Sequence, residues 1–105
     1  MDGVVEHAGF PNPATDTNIV TLDMTSLLVK HPSSTFFMQL SGNAWEDSGV
    51  YDGDIAIVDR AIEPKKNDKV VWWEGEHFAV SPFNKLPKDK QAWGVITSII
   101  HRYRT

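Results

Sequence analysis

Ser41-Gly42-Asn43-Ala44-Trp45-Glu46-Asp47-Ser48-Gly49-Val50-Tyr51-Asp52-Gly53-Asp54-Ile55-Ala56-Ile57-Val58-Asp59 is the stretch from which the rest of this chain is read. Its first part is rich in glycine, asparagine, serine and acidic residues, which favour turns because they tolerate unusual backbone angles or bond their own backbone. Its last part is a run of apolar, mostly β-branched residues. Asp52-Gly53 is a turn signal that leads into a strand over Ile55–Asp59. A loop followed by a strand needs partner strands, and the flanking sequence supplies them.

Upstream, Thr35-Phe36-Phe37-Met38-Gln39-Leu40 is aromatic and apolar, bounded by Pro32-Ser33-Ser34 and Gly42, and reads as a strand. Downstream, Lys69–Trp73 and His77–Val80 read as two strands joined through Glu74-Gly75-Glu76, with Pro82 ending the second. Trp93–His101 is a long last strand, expected to bend or bulge near Gly94. In the pair Trp72-Trp73 one ring faces in and one out, because strand side chains alternate. The outward ring is either a plain surface residue or a partner contact, since tryptophan is enriched at interface anchors.

Toward the N-terminus the pattern weakens. Residues 1–18 read as an arm, with Pro11 and Pro13 forbidding a helix there. Ile19–Leu22 could form a short strand. Thr25–Lys30 could form one or two helical turns capped by Thr25 or Ser26, and these stop before Pro32. Residues 19–105 are expected to be one mostly-β domain with one or two short helices.

Composition fits that architecture. The 105 residues suffice for one domain, with 41% apolar and 23% charged residues. The absence of cysteine excludes disulfides and thiolate chemistry, and suits a reducing cytoplasm. A net charge of −4 argues against non-specific nucleic-acid binding, which needs a basic footprint. No apolar run is long enough to span a bilayer, and no secretory signal is visible, so a cytoplasmic location is expected.

Several short matches occur in one order. Gly42-Asn43-Ala44-Trp45 followed by Asp52-Gly53-Asp54 resembles the active-site segment of the LexA/UmuD self-cleaving peptidases, with a pattern like G-D-S-M and then D-G-D. His7-Ala8-Gly9-Phe10-Pro11-Asn12-Pro13-Ala14 is similar to the cleavage-site region of UmuD-type proteins. Leu27–Phe37 resembles the segment leading into the active-site strand, and Trp93-Gly94-Val95-Ile96 resembles the closing strand. The resemblance implies a LexA/UmuD C-terminal-domain-like fold of short strands, of β-clip type, with an extended N-terminal arm. It also implies a homodimer. No helix-turn-helix precedes the arm, which favours the UmuD type over the repressor type.

The resemblance also shows what is missing. Ala44 stands where the serine nucleophile belongs, and a methyl group cannot attack a carbonyl. Phe78-Ala79-Val80-Ser81 corresponds to a context like F-T-V-K, so Ser81 stands at the general-base position. The serine–lysine mechanism needs a lysine whose pKa, about 10.4 in water, is lowered by burial. Ser81 cannot serve, and Lys85 lies beyond Pro82. Asn43 and Trp45 also depart from the family pattern. A pseudo-peptidase is therefore expected, with no intact catalytic residue. Gly42, Asn43, Trp45 and Asp54 are candidates to line the old cleft.

Other polar residues are read plainly. Ser41 and Ser48 are a strand-end and a turn serine. His7, His31, His77 and His101 lack metal-ligand spacing, and Asp47, Asp52 and Asp54 lack a calcium-loop pattern, so no metal or other cofactor is expected. Arg102-Tyr103-Arg104 is an exposed strand end. The Ala8-Gly9 bond has two open readings: Gly9-Phe10-Pro11 docks the arm, or an active relative cuts the bond in trans.

The function expected is an inactive, dimeric accessory subunit in SOS mutagenesis and translesion DNA synthesis. Its partners would be a second copy or another UmuD-type protein, and a Y-family DNA polymerase, without sequence-specific DNA binding or membrane contact. The alternatives are an active serine-type autopeptidase in which Ala44 is an introduced replacement, and a stand-alone peptide-binding regulator. The strand Val95–Arg102 is a candidate dimer interface, on the view that it would otherwise be an exposed sheet edge.

Overall fold

Runs rich in Val, Ile, Phe and Trp become the strands of one antiparallel sheet, in a computed structural model that describes residues 22–104. The strands are β1 (Thr35–Gln39), β2 (Ile55–Asp59), β3 (Lys69–Glu74), β4 (His77–Pro82) and β5 (Ala92–Ile100), in the order β1-β2-β5-β3-β4. One short helix, α1 (Met24–Leu28), precedes them, and single 3₁₀ turns lie at Pro32–Ser34, Glu46–Ser48 and Phe83–Lys85. No helix among the described residues is long and apolar enough to cross a membrane. The Ala8-Gly9 bond, the arm and the strand expected over Ile19–Leu22 fall outside the described residues, apart from Leu22, which has no regular structure.

The five strands expected from Thr35 onward are all present, with boundaries shifted by local chemistry. The helix starts one position earlier than expected. Asp23 is its N-cap, and the Asp23 Oδ1 accepts the N–H groups of Thr25 at 3.1 Å and Ser26 at 3.4 Å. Asp23 also accepts the Ser26 hydroxyl, and that bond is the main reason its carboxyl titrates below the usual carboxylate range. The helix ends at Leu28, two residues earlier than expected. β4 ends at Pro82 as expected, and Pro82 itself still pairs with Lys69 as the last residue of the strand. Its missing N–H is tolerated because β4 is an edge strand.

The last strand departs most from expectation. β5 is not an edge; it lies between β2 and β3, and the edges are β1 and β4. Only Thr97–Ile100 runs past the final β3 partner, where Ile96 faces Lys69. The argument for Val95–Arg102 as the dimer interface therefore fails along most of its length, because β3 already covers that side.

The expected bulge near Gly94 is present. Val71 pairs with Gly94 and Trp72 with Ala92, leaving Trp93 unmatched. A Cβ on Gly94 would lie 2.5 Å from Val58 Cγ1, so glycine is required for the close approach of β5 to β2. A second irregularity leaves Thr97 unmatched between Ser98 and Ile96, and its hydroxyl bonds the Ile57 carbonyl at 3.3 Å.

Strand alternation sorts the core onto two faces. Leu40, Val50, Ala56, Val58, Val71 and Val80 pack together on one side. Val70, Trp72, Ala79 and Val95 pack on the other. Trp72 is thus the inward ring, and Trp73 is 49% exposed. Across the first face, Phe36, Trp93, Phe78 and Trp73 form a chain of tilted rings with centroids 5.2, 5.0 and 4.0 Å apart. This chain links edge strand β1 to edge strand β4, and Arg60 caps it with its guanidinium 4.3 Å above the Trp93 ring.

Candidate functional site

The loop between β1 and β2 is tied down by its own polar groups. Leu40 N–H donates to the Asp54 carbonyl and Gly53 N–H to the Leu40 carbonyl, each at 2.8 Å, which extends the ladder past both strand ends. The Asp52 carboxylate accepts Gly42 N–H at 2.7 Å. The Trp45 carbonyl accepts from Ser48 and Val50 N–H, closing the 3₁₀ turn. Gly42, Gly49 and Gly53 all adopt positive φ, as the turn reading requires. Ala44 is thereby held, exposed, at a fixed place in the fold.

A groove of about 380 Å³ opens there. Met38, Gln39, Leu40 and Ser41 form one wall at the end of β1. Ala44 and Trp45 come from the loop, and Glu74, His77 and Phe78 come from the β3–β4 hairpin. Met38, Leu40 and Phe78 make its floor apolar, and Gln39, Ser41, Glu74 and His77 give it polar donors and acceptors. Glu74 and His77 are the pair that closes the hairpin, with Gly75 turning at φ 66°.

Of the residues singled out in the sequence, Ala44 and Trp45 line the groove. Gly42 and Asn43 lie exposed on the turn between Ser41 and Ala44 and are not among its walls. Asp54 is 1% exposed and supports the loop from below. Ser81 does not line the groove: alternation along β4 puts it on the side of Ala79, away from Phe78 and Val80. Its hydroxyl is buried without a hydrogen-bond partner. Lys85 is exposed in the 3₁₀ turn after β4 and is likewise absent from the walls.

Two features escaped the sequence reading. One is the contribution of Glu74 and His77, for which the only signal was their place on either side of the hairpin turn. The other is a pair of histidine–aspartate contacts at the two ends of β2. His31 Nδ1 lies 2.6 Å from Asp59 Oδ2, and His101 Nδ1 lies 2.5 Å from Asp54 Oδ1. Both aspartates are buried and both histidines about half exposed. An ionised carboxylate only accepts, so Nδ1 is the donor in each pair. Burial opposes charge on Asp54. The Tyr51 N–H and the hydrogen bond and charge of His101 outweigh it and hold the carboxyl below its ordinary value. At Asp59 burial is likewise outweighed, by His31 and by the Ala61 N–H. Partners 28 and 47 residues apart leave no spacing signal in a sequence.

Known proteins resemble most of this chain. The Peptidase S24-like family pattern matches residues 4–93. Protein SamA of Salmonella typhimurium (strain LT2) is 31% identical, the alignment covering 93% of this chain and 81% of SamA. Protein ImpA of Escherichia coli is 34% identical over 92% of this chain and 79% of its own. Protein MucA of Escherichia coli is 32% identical over 86% and 75%. The SamA alignment runs over 114 positions, more than the length of this chain, so that relative carries residues inside the shared span with no counterpart here. Matches of this extent, on a mostly-β sheet with the expected loop and strand order, settle the family: the chain belongs to the Peptidase S24-like family of LexA- and UmuD-type proteins.

Proposed function

We propose that this protein is a non-catalytic, UmuD-like accessory subunit that acts in SOS mutagenesis and translesion synthesis. It works as a dimer with itself or with an active UmuD-type protein, in association with a Y-family polymerase. The observation that carries the reading is the exposed methyl group of Ala44 in the groove, in the loop where the resemblance to the family would put a nucleophile. By the same resemblance Ser81 stands in place of the lysine, and its buried hydroxyl does not face the groove and cannot draw a proton from a group there. Binding, not cutting, is what such a groove retains, and Ala8-Gly9 is the bond an active relative would cut in trans.

The test restores the chemistry in two steps. At alkaline pH, where a lysine would deprotonate, neither this chain nor Ala44→Ser should release a fragment beginning at Gly9. Ala44→Ser combined with Ser81→Lys should release it. Cleavage by Ala44→Ser alone would overturn the reading in favour of an autopeptidase whose serine had been replaced. Size-exclusion of mixtures with an active UmuD-type protein and a translesion polymerase tests the accessory role, and co-migration with neither would count against it. The apolar floor and polar rim of the groove favour, as a second reading, a stand-alone regulator that binds an extended peptide there.

A further inference from the structure

The second face of the sheet carries a pocket that the Ala44 groove does not share. Pro64, Phe83, Leu86 and Ala92 form its apolar floor, and Glu63 and Lys90 stand on its rim, around a volume of about 330 Å³. Phe83, Leu86 and Ala92 rest on the core of Val70, Trp72, Ala79 and Val95, so the floor is anchored from behind. The two loops that make the walls, residues 61–68 and 83–91, are fastened to each other and to themselves. Phe83 N–H donates to the Asp68 carbonyl at 2.8 Å, and the Asp68 carboxylate accepts Lys65 N–H at 2.8 Å. Leu86 N–H donates to the Phe83 carbonyl at 3.1 Å, and Lys90 N–H to the Pro87 carbonyl at 3.0 Å. A pocket tied down in this way loses little entropy when it is filled.

Its charge is opposite to that of the rest of the chain. The two loops hold Lys65, Lys66, Lys85, Lys88 and Lys90 against Glu63, Asp68 and Asp89, a net charge of +2. The whole chain carries −4, so everything outside these loops carries −6. All five lysines are exposed, and the Asp68 carboxylate is engaged in its own turn. Among the described residues no carboxylate lies within 4 Å of any of the five. We infer that this pocket binds a short acidic peptide segment of a partner protein, with a large apolar side chain on the floor and carboxylates against the lysines. Charge complementarity selects the acidic flanks, and the apolar floor selects the anchor between them. Nucleic acid fits less well. Bases stack on aromatic rings, and Phe83 is the one ring among the described lining residues. A long polyanion also runs off the lysines onto the −6 remainder, whereas a short segment ends within them. The inference stands apart from the accessory reading, because the Ala44 groove lies against the first-face core and both sites can be filled at once.

A fluorescein-labelled peptide, Glu-Asp-Glu-Leu-Phe-Asp-Glu, added to the full chain tests this by anisotropy. Its Kd should be about 10–100 μM, weaker than for a full-size interface because the pocket is small. Lys88→Glu combined with Lys90→Glu should weaken binding by about tenfold or more, since like charges then face each other. Raising salt from about 0.05 to 0.5 M should weaken it severalfold, because exposed charges are screened. Arg104→Glu, the same change in charge past the other end of β5, should leave the Kd within about twofold, because about 30 Å of strand separates it from Ala92. Leu86→Ser should abolish binding with an unchanged circular dichroism spectrum. If that variant unfolds, a peptide with Ser in place of its Leu and Phe makes the same test on the intact chain. Loss of binding by that peptide supports the pocket, and binding as tight as the parent's overturns it in favour of plain surface attraction. No binding at about 1 mM parent peptide overturns the inference outright. Tighter, competing binding of oligothymidylate overturns it in favour of single-stranded nucleic acid. Carbodiimide cross-links from these lysines to Asp2, Glu6 or Asp16 of the same chain overturn it in favour of the chain's own N-terminal segment.

Discussion

Replacing His101 with alanine isolates the cost of leaving a buried carboxylate short of one partner. In the native chain Asp54 accepts Tyr51 N–H at 2.9 Å and His101 Nδ1 at 2.5 Å while being 1% exposed. His101→Ala removes the second bond and leaves the charge in place. Hydrogen bonds to charged groups are worth about 1.5–3 kcal/mol, and the half-exposed ring of His101 points to the lower part of that range. For a domain of this size, about 2 kcal/mol lowers Tm by roughly 10 °C. The pH dependence carries the sign. The folded carboxyl of Asp54 titrates below its unfolded value, so its contribution is complete above the unfolded pKa, about 3.9. It is lost as pH falls through the folded value. Without His101, burial is less opposed, and Asp54 holds its proton to higher pH. The gap between native and variant should thus be full well above the unfolded pKa and close as the pH falls through the folded value. Urea unfolding at a series of pH values measures it, with Asp54→Asn and the double variant completing a cycle. A gap under about 0.5 kcal/mol at pH 6, or no coupling in the cycle, would refute the clamp.

Two further outcomes follow from packing. Gly94→Ala places a methyl 2.5 Å from Val58 Cγ1 and 3.3 Å from Arg60 Cγ. Overpacking of this kind costs about 1–3 kcal/mol, so the urea midpoint should fall with an unchanged slope. Ser81→Ala removes a buried hydroxyl that has no partner. It should be neutral or stabilise by up to about 1 kcal/mol, and a clear loss of Tm would show that the hydroxyl is satisfied after all.

How much of this was legible in the sequence depended on distance along the chain. The strands at Thr35, Ile55, Lys69, His77 and Ala92 announce themselves through runs of β-branched and aromatic residues, and the Gly53 and Gly75 turns through their neighbours. The helix cap was misplaced because Asp23, Thr25 and Ser26 are all good caps, and only the backbone decides which carboxylate or hydroxyl points inward. The role of Glu74 and His77 was invisible because nothing local says that the hairpin tip lies beside the loop of Ala44.

The chain by itself determined the family and the turn-rich loop that carries Ala44, because these are matters of residue identity and order. Tertiary structure alone decided which strand is central. The β5 run reads equally well as an edge, and its place between β2 and β3 depends on partners about 40 and 25 residues away. It also decided the fate of the aspartates. In a one-dimensional string Asp54 looks like a turn former and Asp59 like the last residue of a strand. Burial makes their charge costly, and only folding brings His101 and His31 close enough to meet it.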